Sequence, residues 1–112
     1  MDRPALNQDI EDARRKAAEL AVRILEGTAD VLEASIQMHR LSWLAGVEED
    51  DEDFAAFSVV DSEIDALPIG PQRAYWSAEA LARKEPDLER ARIWARSAVE
   101  EECRSIIARF AV

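Results

Sequence analysis

Apolar residues recur at spacings of three and four along nearly the whole chain, and no stretch alternates over a strand-like length with β-branched enrichment. The pattern predicts an all-α protein, a compact bundle of four main helices plus one short helix. In the first segment Ile10, Ala13, Ala17, Leu20 and Ile24 form a stripe that Val22 and Leu25 widen. A first helix is expected from Asn7, as its cap, to Glu26, with Gly27 as the stop. Thr28 is the candidate cap of a second helix, whose stripe reads Leu32, Ile36, His39 and Trp43 and which Gly46 ends. So short a turn between them implies an antiparallel hairpin. Phe54, Phe57, Val60 and Ile64 then set a third helix over about Asp51 to Asp65.

Leu67, Pro68, Ile69, Gly70 and Pro71 cannot continue that helix, because two prolines remove amides and constrain the residues before them. Tyr75 and Trp76 at the end of this loop are its expected anchors on the bundle. Ser77 reads as the cap of a short helix from Ala78 to Lys84, and a last helix follows from about Pro86 to Phe110. Its apolar side carries Leu88, Ala91, Ala95, Val99, Cys103, Ile106 and Phe110.

Two passages, Asp61 to Gly70 and Trp76 to Lys84, have the form D-S-E-x-D-x-L-P-x-G and W-x-x-E-A-L-x-R-K. They resemble a group of small uncharacterised bacterial helical proteins that carry those motifs before a final helix. The likeness covers about a quarter of the chain; it implies a bacterial origin and attaches no activity. Pro86 departs from the pattern and leaves open whether the last two helical pieces are one rod.

The chain has 112 residues, 48% of them hydrophobic, with 3 Gly and 4 Pro, which suits a single helical domain over residues 1–112. Charge changes the picture. The formal net charge is -10, and between Arg40 and Arg73 there is no Lys or Arg but nine acids; elsewhere fifteen acids face fourteen bases. Such a field repels phosphate backbones and anionic lipid surfaces, so neither nucleic acid nor membrane is an expected partner. The N-terminus carries acids where a secretion signal needs a basic start, and no run approaches the roughly 18 apolar residues of a membrane span. With a single Cys, a cytoplasmic protein is the expectation.

Carboxylates at a helix N-terminus complement the dipole at roughly 0.3 to 1 kcal/mol each. Six in succession, Glu48, Glu49, Asp50, Asp51, Glu52 and Asp53, exceed what a cap requires, since their mutual repulsion offsets the gain. With Asp61 and Asp65 they are the candidate partner-binding residues, facing a cationic protein surface.

No catalytic, cofactor or metal site is expected. Asp61, Glu63 and Asp65 have the opening spacing of a calcium loop, but Ala66 stands where that loop needs Gly and Gln72 where it needs Glu. A di-iron bundle needs Glu-x-x-His twice, and the single His39 has Ile36 three residues before it. Cys103 and His39 lie mid-helix, where backbone amides are already bonded and no oxyanion hole forms. The expected function is therefore a small acidic non-catalytic binding protein, immunity- or inhibitor-like towards a basic partner. The alternative is a small helical enzyme or ligand-binding bundle, with the Pro68 to Trp76 loop as a lid over the acids of the third helix. A homodimer through the alanine-rich last helix is a third expectation.

Overall fold

A computed structural model of the chain describes residues 3–111. The described residues form four α-helices, α1 (Arg3–Glu26), α2 (Val31–Ser42), α3 (Glu52–Glu63) and α4 (Ala78–Phe110), with a 3-10 helix over Gly70–Tyr75 and no strand. α4 packs on α1 and α3, and α2 packs on α3, α1 and α4. The molecule measures 51 × 30 × 24 Å. At 1.5 Å per residue the 33 residues of α4 account for the whole long dimension.

α1 begins before the expected cap, so Asn7 is an interior helical residue; Pro4 lies in the first turn, where a missing amide goes unneeded. At the other end Gly27, with φ of 77°, places its amide on the Ile24 carbonyl, and the Thr28 amide reaches Arg23. That arrangement turns the Thr28 hydroxyl onto the Arg23 carbonyl rather than onto the next helix. Asp30 caps α2 instead, accepting from the amides of Leu32 at 2.8 Å and Glu33 at 3.3 Å.

The core is drawn from all four helices. α1 gives Ala13, Ala17, Leu20, Ala21 and Ile24, α3 gives Phe54, Phe57 and Val60, and α4 gives Leu88, Ala95, Val99, Cys103 and Ile106. α2 buries a stripe offset from the expected one: Val31, Leu32, Ala34, Ser35 and Met38 point inwards, while Trp43 remains 72% exposed. The buried Ser35 hydroxyl donates to the Val31 carbonyl one turn back at 2.7 Å.

The short helix expected over Ala78 to Lys84 is not separate; α4 runs unbroken through Pro86, and the short helix of the fold is the 3-10 segment. Proline in a helix leaves the carbonyl four residues back without its donor. Here that residue is Ala82, exposed like Pro86 itself, so water can take the lost donor's place. No side chain between Ala78 and Asp87 is buried, so the first turns of α4 project beyond the core.

Candidate functional site

The acid run divides into two parts. Asp51 caps α3, accepting from the amides of Asp53 and Phe54. Arg109, near the end of α4, reaches both Asp51 oxygens at 2.8 and 3.0 Å and Asp53 Oδ2 at 2.8 Å. The Ser105 hydroxyl donates to the same Asp53 oxygen at 2.6 Å. The guanidinium also lies 4.7 Å from the Phe110 ring centroid, a cation–π contact. The Arg109 hydrogen bonds hold the Asp51 carboxyl below the usual carboxylate range, and the same bonds raise the Arg109 pKa. These two acids join the start of α3 to the end of α4. Arg14, whose guanidinium is 5.3 Å from the Phe110 ring centroid, donates to the carbonyls of Ala45 at 2.7 Å and Gly46 at 3.2 Å, tying α1 to the loop that carries the acids.

Glu48, Glu49, Asp50 and Glu52 are exposed, and among the described residues no ion pair or hydrogen bond holds their side chains. Glu48 and Glu49 border a groove of about 770 Å³ between the end of α2 and the start of α3. Trp43 and Val47 give it apolar walls, with His39 and Ser58 among its polar lining. His39 does more than pack: its Nδ1 lies 2.8 Å from Asp61 Oδ2, and its ring is tilted against Trp43 at 5.0 Å between centroids. Asp61 is thus committed to α2 and only partly available to a partner. No local spacing reveals this pair, because its members are 22 residues apart on facing helices.

Asp65 is exposed and lies with Asp61 along a second groove of about 370 Å³, which Arg40 and the loop residues Leu67, Ile69, Gly70, Pro71 and Gln72 also line. The loop therefore does border the acids of α3, but Tyr75 and Trp76 do not line that groove. Tyr75 is 90% exposed and anchors nothing, and Trp76 is half-buried. Pro68 and Ile69 are the buried anchors, and Arg73 donates to the Pro68 carbonyl. The aromatic pair falls at the end of the 3-10 helix, whose residues bury no side chain.

Cys103 is enclosed by the core, and burial pushes its thiol up to about 12, so it stays a protonated packing residue near neutral pH. Among the described residues no three His, Cys, Asp or Glu side chains are placed to hold a metal ion, and no helix is long and apolar enough to cross a membrane. In comparisons with known proteins no family model matches the chain, and neither a curated protein nor a solved structure matches it.

Proposed function

We propose that this chain is a small acidic binding protein of the bacterial cytoplasm, without catalytic machinery, that docks on a basic protein surface in the manner of an immunity or inhibitor protein. The observation that carries the reading is that Glu48, Glu49, Asp50 and Glu52 are exposed and, among the described residues, without counter-charges, and that Glu48 and Glu49 border a groove walled by the exposed Trp43. Four unneutralised carboxylates, three on the loop and Glu52 at the start of α3, attract cationic side chains over a Debye length of about 10 Å at 0.1 M salt. The indole face of Trp43 offers a lysine or arginine a cation–π contact of about 0.5 to 2 kcal/mol once water is excluded. Asp51 and Asp53 fall outside this surface because Arg109 already holds both of them, with Ser105 also on Asp53.

The test is to immobilise the chain and, in parallel, its E48Q/E49Q/D50N/E52Q variant, expose both to cell extract at low salt, and identify what is retained. The expected result is a strongly basic protein held by the natural chain and lost from the variant. Retention of the same proteins by both, or of no basic protein, counts against the reading.

A further inference from the structure

A second surface, of opposite charge, lies in the groove between α1 and α2. It has a volume of about 410 Å³ and an apolar floor of Leu20, Leu41 and Leu44, the last 61% exposed. Its rims carry Lys16, Arg23 and Arg40, exposed cations held, among the described residues, by no ion pair and no side-chain hydrogen bond. Most other cations of this fold are engaged: Arg92 on Asp30, Arg109 on Asp51 and Asp53, Arg104 on Glu100. In a chain of net charge -10, the residues lining this trough bring three unengaged bases against the single acid Glu19, although Arg40 also borders the groove of Asp61 and Asp65.

We infer that this groove receives an amphipathic helix whose apolar face is flanked by acids, supplied by another protein. Two packed helices present a trough into which a third helix lays apolar residues at i, i+3 or i+4 and i+7. From Lys16 to Arg23 the groove wall runs about 10 Å, two turns of such a helix. The aliphatic stems of the three bases extend the apolar wall while their heads meet the flanking carboxylates. Charge complementarity selects the occupant: a basic helix would set its cations against Lys16, Arg23 and Arg40, and an uncharged one would leave those heads unmatched. The inference is independent of the acidic loop and its partner, which use other residues.

The test uses two synthetic helical peptides sharing one apolar stripe, one flanked by Glu and the other by Lys, titrated into the isotopically labelled chain at 50 mM salt. The Glu-flanked peptide is expected to bind, to perturb amide resonances within residues 16–23 and 37–44, and to lose about tenfold in affinity to the R23E/R40E variant and again to Leu44→Asp. All three positions are exposed, and circular dichroism checks that each variant retains its helices. The inference is overturned by equal binding of the two peptides in the groove, by binding that R23E/R40E leaves unchanged, or by absence of binding at millimolar peptide. It is equally overturned if sedimentation shows that the chain alone dimerises and Leu44→Asp abolishes the dimer, since the occupant is then a second copy.

Discussion

Replacing Arg109 with leucine removes the one side chain that joins α4 to both structural acids of α3. The leucine keeps much of the stem's apolar volume, so the loss is mainly electrostatic. Three charge-assisted bonds disappear, two to Asp51 and one to Asp53, and the two carboxylates, with side chains 12% and 17% exposed, are left facing each other. Bonds to charged groups contribute about 1.5 to 3 kcal/mol each when buried, whereas a fully exposed pair contributes at most about 1 kcal/mol. Arg109 is 36% exposed, which places the total between these limits, and a loss of about 2 to 3 kcal/mol is expected out of a stability of about 5 to 15. With a urea slope of about 1.5 kcal/mol per molar, the unfolding midpoint followed by circular dichroism drops by about 1.5 M at pH 7. The effect has a defined pH window. Arg109 depresses the folded Asp51 pKa below its unfolded value near 3.8, so this stabilisation is fully present above that value and is lost as pH falls through the folded one. The gap between wild type and Arg109→Leu is therefore constant from pH 5 to 8 and closes below about pH 4. A variant within about 0.5 kcal/mol of wild type at pH 7, or a gap that persists undiminished at pH 2.5, refutes the clamp. Arg104→Leu, which breaks only an exposed pair with Glu100, is the control and is expected to change stability by less than about 0.5 kcal/mol.

Other outcomes follow from the same geometry. Neutralising the four outer acids in E48Q/E49Q/D50N/E52Q leaves the urea midpoint unchanged or slightly raised, because these side chains hold nothing and repel one another; a loss above about 1 kcal/mol contradicts their separation from the fold. Ile69→Ala costs about 2 kcal/mol, whereas Tyr75→Ala stays within about 0.5 kcal/mol, since the first is buried and the second is in water; the reverse order would restore Tyr75 as the loop's anchor. Cys103 is expected to resist a thiol reagent until the chain unfolds. Its folded pKa, raised to about 12, means that stability is full below the unfolded value near 9 and declines as pH rises beyond it, a decline that Cys103→Ala lessens. Equal slopes above pH 9 in the two proteins would remove that assignment.

What the sequence made legible was periodic or local. The stripe of α3, the stop at Gly27 and the Ser77 cap are set by residues within one or two turns, and each stands where the spacing puts it. Helix starts were harder: Thr28 and Asp30 are both good caps, and only the backbone hydrogen bond from Thr28 to Arg23 decides between them. Pro86 reads as a break because sequence alone does not show that Ala82, whose carbonyl loses its donor, lies on an exposed stretch of the helix. The aromatic residues misled for a related reason, as Trp43 and Tyr75 are apolar enough for a core but fall on the outer side of their segments. The candidate site was legible as a concentration of charge and not as an arrangement. Arg109 is 56 and 58 residues from the acids it holds, and His39 is 22 from Asp61, so the division of the acid run into fastened and available members is a product of tertiary packing.

The most direct measurement of the central claim is the association rate between this chain and a basic protein retained in the extract experiment, by stopped flow at 20 and 200 mM salt, for wild type and E48Q/E49Q/D50N/E52Q. The account predicts a wild-type rate that falls at least about tenfold with added salt, and a variant rate that is slow, nearly salt-independent and obtained from an equally stable fold. Equal rates with equal salt dependence in the two proteins would contradict it.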